Sequence, residues 1–161
     1  MMRIGIVSDI HGSFFTLLNV VKQMGDINLL IHAGDGANDI IRLQEKYPFK
    51  IEAVRGNCDV NDIFPEEVTF NLDRYRIFLC HGHQYAVKLN RDALLRQAKV
   101  ERADIVIYGH THQAEIHKEA GILFINPGSL SFARSYGGPS YAMLEISSKG
   151  ELSHWICRIG S

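Results

Sequence analysis

The stretch Ile4-Gly5-Ile6-Val7-Ser8-Asp9-Ile10-His11-Gly12 decides how this chain is organised. Its first four residues form a short apolar run with β-branched side chains, the composition of a strand buried on both faces of a sheet, and the run stops at a polar segment closed by glycine. Downstream, Phe14, Leu17, Leu18, Val21 and Met24 recur at helical spacing, with Ser13 placed as N-cap and Gly25 as stop. The same grammar then repeats. Leu29-Leu30-Ile31 reads as a strand, Gly34-Asp35-Gly36 as its exit loop, Asp39–Lys46 as a helix, and Ile51–Val54 as a strand ending at Arg55-Gly56-Asn57-Cys58-Asp59. This βαβαβ opening predicts parallel strands joined by right-handed crossovers, and so an α/β fold class.

Beyond Pro65 the texture changes. Val68-Thr69-Phe70 and Arg76-Ile77-Phe78-Leu79-Cys80 read as paired strands joined near Leu72-Asp73-Arg74, which suggests a second, more antiparallel sheet. A helix over Arg91–Val100, with Leu94, Leu95 and Ala98 on its apolar face, leads into the strand Asp104–Tyr108, which stops at Gly109-His110-Thr111-His112. The tail segments Ala114–Lys118, Ile122–Ile125, Tyr141–Ile146 and Leu152–Arg158 are broken at Asn126-Pro127-Gly128 and Gly137-Gly138-Pro139, and read as meandering strands.

Composition bounds the rest. The chain has 161 residues, 46% hydrophobic and 22% charged, which suits a single domain over 1–161; two domains would each approach the size at which cores become marginal. Lys and Arg number 17 against 18 Asp and Glu, a net charge of −1 that disfavours nucleic acid or an anionic membrane as partner. The amino-terminal apolar run is too short for a signal peptide, and no stretch approaches the ~20 apolar residues of a membrane-spanning helix, so no membrane association is expected. Cys58, Cys80 and Cys157 are odd in number and lack a C-x-x-C spacing, which points to the reducing cytoplasm.

Ligand sites in parallel α/β sheets form outside the carboxyl ends of the strands. Each such exit here is loaded: Asp9 and His11, then Asp35, Asn57, His81, and finally His110 and His112. Taken singly these residues are ordinary, since an Asp before a helix is commonly an N-cap and Asn beside Gly a turn. Their recurrence at successive exits needs several coincidences on that account and only one cause if they bind metal. Two carboxylates, an amide oxygen and four imidazoles suit Mn²⁺, Fe²⁺, Zn²⁺ or Ni²⁺. In an extended segment residues two apart point to one side, so Asp9 and His11 are expected to approach one ion together, as can His110 and His112 if that segment is also extended. Adjacent glycines, among them Gly56 and Gly109, are expected to leave room for the ion and an anionic substrate. Seven ligands exceed one tetrahedral site and suit two ions about 3.5–4 Å apart that clamp a phosphoester.

Asp9-Ile10-His11, Gly34-Asp35, Gly56-Asn57-Cys58-Asp59, His81-Gly82-His83 and Gly109-His110-Thr111-His112, in that order, resemble the motifs of the calcineurin-like metallophosphoesterases, and with Asn126-Pro127-Gly128-Ser129 those of the small YfcE-type phosphodiesterases. The resemblance implies a four-layer α/β/β/α sandwich of two mixed sheets flanked by helices, with a dinuclear centre at one edge. It implies Asp9, His11 and His112 on one metal, Asn57, His81 and His110 on the other, Asp35 bridging, and attack on phosphorus by a metal-bound hydroxide; two divalent ions are expected, Mn²⁺ first, with Fe²⁺, Ni²⁺ and Zn²⁺ as alternatives. It also suggests a homodimer or higher oligomer. Where many relatives carry Gly-Asn-His, this chain has Cys58, a weak donor, so substrates with good leaving groups are expected, a small phosphodiester first and a phosphomonoester as the alternative. Asn57, Cys58, His81 and His83 are therefore the catalytic candidates, and Asp59 is expected either to orient a neighbouring ligand or to stabilise its turn. Of the remaining polar residues, His32 is a weaker candidate for the site, Arg55 and Arg134 read as solvated salt bridges or phosphate contacts, and His117 and His154 read as surface. Two other functions compete: a non-catalytic protein-binding scaffold, as in the retromer subunit of similar fold whose metal residues are degraded, and a nuclease. Intact ligand positions argue against the first; the absence of a basic stripe argues against the second.

Overall fold

The computed structural model describes residues 1–159. Two five-stranded sheets face each other. In the first, β1 (Met2–Val7), β2 (Leu29–His32) and β3 (Lys50–Ala53) run parallel, and β9 (Ser140–Ile146) and β10 (Leu152–Arg158) complete the order β10-β9-β1-β2-β3 by antiparallel pairing. In the second, β5 (Tyr75–Cys80), β6 (Ile105–Ile107) and β8 (Ile122–Asn126) run parallel between antiparallel edges β4 (Glu67–Leu72) and β7 (Glu115–Glu119). Helices α1 (Phe14–Met24) and α2 (Ala37–Gln44) cover the outer face of the first sheet, and α3 (Asp92–Val100) that of the second. The layers are thus α/β/β/α, with two mixed sheets at the centre.

Side-chain alternation along the strands builds this stack. Ile4, Ile6 and Ile31 point inward and meet Ile77, Leu79, Ile105, Ile107 and Ile125 of the facing sheet in a fully buried layer. Leu30, Val7 and Met143 point outward onto Leu17, Val21 and Leu43 of the first two helices, while Phe78, Val106 and Phe124 meet Leu94 and Ala98 of α3. Each such side chain contributes about 1.5–3 kcal/mol through burial, so three apolar layers hold the strand ends in fixed register.

Three expectations need adjustment. The tail does not meander within one sheet: β7 and β8 join the second sheet, and β9 and β10 return to the first, with β9 beside β1. All but one of the β9 residues are buried, as a continuous apolar run between two neighbours requires, whereas β10 is an edge strand and largely exposed or half-buried. The second helix begins at Ala37, two residues earlier than periodicity suggests, because a carboxylate from elsewhere in the chain, Asp59, accepts the Gly36 and Ala37 N–H groups at its first turn. Ser13 sits at the N-cap position of α1 but makes no side-chain capping bond.

Candidate metal centre

The carboxyl ends of β1, β2, β5 and β6 converge on one rim and are tied across it. Asp9 N–H donates to Gly34 O at 2.9 Å, Gly109 N–H to His81 O at 2.9 Å, and His81 Nδ1 lies 2.7 Å from Ala33 O, a bond that links the two sheets. Behind this rim Ser129 Oγ donates to Asp9 O and Asn126 Nδ2 to Gly109 O.

The exit segments are not extended. Asp9, His11, Asp35, His110 and His112 all have positive φ, between 47° and 71°. Five of the seven ligand candidates thus occupy the left-handed region, a conformation that costs of order 1 kcal/mol or more per residue and collects at functional sites. Tight reversal, not strand-like alternation, turns Asp9 and His11 toward a common point. The glycines differ in role as well: a Cβ on Gly56 would strike the Asp35 carboxylate, and one on Gly109 would strike Ser8 Oγ and Asp9 Oδ2. They make room for the carboxylates themselves.

Asp9 is fully buried. Its Oδ2 accepts the Ser8 hydroxyl at 2.7 Å and the His110 N–H at 3.0 Å. Among the described residues its Oδ1 has no hydrogen-bond partner, and it faces three imidazoles, at 3.3 Å from His112 Nε2, 3.6 Å from His11 Nε2 and 3.8 Å from His81 Nε2. Asp35 Oδ1 accepts the Cys58 N–H at 2.8 Å, and its Oδ2 stands 3.2 Å from His81 Nε2 and 3.8 Å from His11 Nε2. Since His81 Nδ1 can donate to Ala33 O, its Nε2 is left with a lone pair aimed at both carboxylates, and that buried atom too is unpartnered. Two ligands each about 2.1 Å from one ion at tetrahedral to octahedral angles lie roughly 3.0–3.4 Å apart, close to these separations and longer than charge-assisted hydrogen bonds. The orphaned Asp9 Oδ1 and His81 Nε2 therefore fit a cation between them.

Three sets of donor atoms could each grip an ion: Asp9, His11 and His112; Asp9, Asp35 and His81; and His11, Asp35 and Cys58. His110 is half-buried with its ring 5.0 Å from that of His81, and His83 follows at 5.3 Å from His81 and 6.1 Å from His110. Asn57 is exposed at the rim, its amide nitrogen 3.6 Å from Cys58 Sγ. The placement of Cys58 among possible donors was not anticipated.

Electrostatics follow from this crowding. Burial opposes the charge on Asp9, but His11, His112, His81 and Ser8 outweigh it and hold the carboxyl far below the usual range. Burial likewise opposes ionisation of Asp35, which His81 and the Cys58 N–H bring down to about 2. Burial disfavours the His81 imidazolium, yet Asp35 and Asp9 raise its pKa overall. Burial, then the charges of His81 and Lys88, lower His110 to about 4; burial and His81 lower His83. Burial and the adjacent Asp35 push the Cys58 thiol up, so it is neutral near pH 7.

Supporting groups lie far away in sequence. Asp59 accepts four backbone N–H groups, those of Asp35, Gly36, Ala37 and Gly56, at 2.8–3.1 Å, and so orients the Asp35 loop as well as its own turn. Asp39 accepts the Gly12 N–H at 3.1 Å beside His11. His32 is fully buried behind Gly36 and lies outside the donor sets; Arg55 pairs with Glu66, Arg134 makes no ion pair among the described residues, His117 stacks on Phe124, and His154 is exposed.

Residues 2–149 match the model of the calcineurin-like phosphoesterase superfamily domain. The chain is 31% identical to the probable metallophosphoesterase YsnB of Bacillus subtilis, over 90% of this chain and 85% of that protein, and 32% identical to the phosphodiesterase YfcE of Escherichia coli, over 90% and 88%. Its fold also matches the crystal structure of Vps29 complexed with zinc from Entamoeba histolytica, at a TM-score of 0.73 and 24% identity, covering 97% of this chain and 98% of that one.

Proposed function

We propose that this chain, which belongs to the calcineurin-like phosphoesterase superfamily, is a divalent-metal-dependent phosphodiesterase of the cytoplasm acting on a small organic phosphodiester. The observation that carries the reading is Asp9 Oδ1: a fully buried carboxylate oxygen with no hydrogen-bond partner among the described residues, facing three imidazole nitrogens. Burying a charge this way is costly unless a cation accompanies it.

In this reading two ions are held by Asp9, His11 and His112 on one side and by Asn57, His81 and His110 on the other, with Asp35 between; the position of Asp35 Oδ2, 3.2 Å from one set's His81 and 3.8 Å from the other's His11, supports that sharing. When bound, Mn²⁺ or a similar ion acidifies water and neutralises the charge that builds on phosphoryl oxygens. The residues supply the rest. Asp59 holds the Asp35 loop, Asp39 holds the His11 loop, and Ala33 O fixes which His81 nitrogen faces inward. Cys58 is exposed and His83 half-buried at the edge of the cluster, and in this reading they are the side chains nearest a departing leaving group. Both are neutral at pH 7, the thiol is a weak donor, and so aryl diesters, whose leaving group needs no proton, should turn over best.

The test is hydrolysis of a chromogenic aryl phosphodiester, with the corresponding monoester beside it, by chelator-stripped protein before and after Mn²⁺ is restored. Diester turnover that returns only with metal is expected. No turnover on either ester would overturn the proposal and favour a protein-binding role on the same fold.

A further inference from the structure

A cleft of about 440 Å³ opens beside His112, with Tyr108 in its wall and Lys88, Arg91, Arg134 and Tyr136 around it. Since His112 also faces Asp9 Oδ1, the cleft and the candidate metal centre are continuous. Its charge is unlike that of the molecule. Three cations line it against one carboxylate, in a chain of net charge −1. Arg91 is consumed internally, because its Nη1 reaches both oxygens of Glu115 at 3.2 and 3.1 Å. Lys88 and Arg134 have no ion-pair partner among the described residues. Both share the lining of this cleft with His112, one of the candidate ligands.

The wall that carries Arg134 is fastened in place. Tyr136 N–H donates to His112 O at 3.4 Å, Arg134 N–H to Ser131 O at 3.2 Å, and Arg158 Nη1 to Tyr136 O at 3.1 Å, which ties the segment to both the His112 loop and β10. A second cleft, about 540 Å³ and lined by a different set of residues, runs from Asn57 and His83 past Asp59, Asp62 and Glu66. Its one cation, Arg55, is paired with Glu66, so that cleft repels anions. A diester centred between the two clefts therefore meets a polarised site.

We propose that the cleft beside His112 receives one arm of the substrate and selects an arm bearing a second anionic group, read by Lys88 and Arg134 with Tyr136 against its planar part. This assignment rests on the phosphodiesterase reading and narrows it to diesters that carry a further phosphate, sulfonate or carboxylate. The contacts are solvent-exposed, so the preference is moderate and sensitive to salt.

The test compares p-nitrophenyl phenyl phosphate with its analogue sulfonated at the para position of the phenyl arm, both assayed with Mn²⁺-loaded protein. The expected wild-type preference for the sulfonated ester is about fivefold to tenfold in kcat/KM, shrinking at high salt, and the Lys88→Ala/Arg134→Ala double variant should bring the ratio to about one. Because the ratio is taken within each protein, a general loss of activity cancels. A ratio near one in wild type, or one unchanged in the double variant, overturns the assignment. Calorimetric titration of the same proteins with phenylphosphonate and its para-sulfonated form reads the same preference without turnover. Tighter sulfonate binding that the double variant abolishes, in a protein that hydrolyses neither ester, supports the cleft and overturns the hydrolytic reading alone.

Discussion

Substituting Asp59 by Asn tests whether one carboxylate holds the centre together from behind. Each Asp59 oxygen accepts two backbone N–H groups: Oδ2 those of Asp35 and Gly56, at 2.9 and 2.8 Å, and Oδ1 those of Gly36 and Ala37, at 3.1 and 3.0 Å. An asparagine can present only one oxygen, so whichever way the amide turns, one pair of N–H donors faces an NH₂ group. Hydrogen bonds to a charged acceptor contribute about 1.5–3 kcal/mol each. Asp59 is half-buried, so the lower figure applies, and losing two such bonds costs about 3 kcal/mol. For a chain of this size 1 kcal/mol moves Tm by roughly 2–4 °C, which gives a fall of roughly 6–12 °C. Calorimetric melting of chelator-stripped wild type and Asp59→Asn is the assay, since bound metal would mask part of the difference. The Asp35 loop should loosen too, with Mn²⁺ affinity weaker by about tenfold. A Tm within about 2 °C of wild type, with unchanged affinity, would refute the idea that these four bonds position Asp35.

Three further outcomes are expected. Gly109→Ala drives a Cβ onto Ser8 Oγ and Asp9 Oδ2, so metal affinity by titration should fall by at least about tenfold; wild-type affinity would show that the rim yields without consequence. Burial lowers the His32 pKa to about 4 against an ordinary value of about 6.5, so the unfolded chain binds more protons between those values. Stability from this group is therefore complete above about pH 6.5 and declines as pH falls toward 4, by up to about 3 kcal/mol; urea melts of His32→Leu at pH 7.5 and 5 should show a flatter dependence than wild type, and an equal dependence would contradict the burial argument. If position 58 faces the leaving group as proposed, Cys58→His supplies a better proton donor there, so turnover of an alkyl-leaving-group diester should rise about tenfold relative to an aryl one, and an unchanged ratio would remove position 58 from the chemistry.

What the sequence disclosed and what it withheld divide along a physical line. Asp9, His11, Asp35, His81, His110 and His112 were legible as candidates because each lies in the loop after a strand whose apolar run is unmistakable, and parallel strands bring such loops to one rim. Two sheets and the helices between strands were legible from periodicity. The left-handed backbone at the exits was not, because Asp and His signal it only weakly; the extended geometry expected there was wrong, and while Asp9 and His11 do turn toward a common point, His112 joins them without His110. Nor was the return of β9 to the first sheet, since strand order depends on which edge lies open after the other strands have paired. The supports were legible only in part. That Asp59 steadies a neighbour or its own turn is readable from its place after Gly56-Asn57-Cys58, but its reach of 24 residues back to Asp35, and that of Asp39 27 residues back to Gly12, are contacts that no local pattern encodes. Lys88 and Arg134 look like any solvated cations until the fold sets them on two walls of one cleft.

The central claim is that Asp35 joins two halves of one hydrolytic metal centre. It is tested most directly by aryl diester hydrolysis titrated with Mn²⁺ in wild type and Asp35→Asn, both chelator-stripped and both checked for folding by circular dichroism. Wild type should gain activity until two equivalents per chain are bound, while the folded variant stays at least about a hundredfold lower at any Mn²⁺ concentration. Equal activity in the two proteins, or wild-type hydrolysis that needs no metal, would contradict the account.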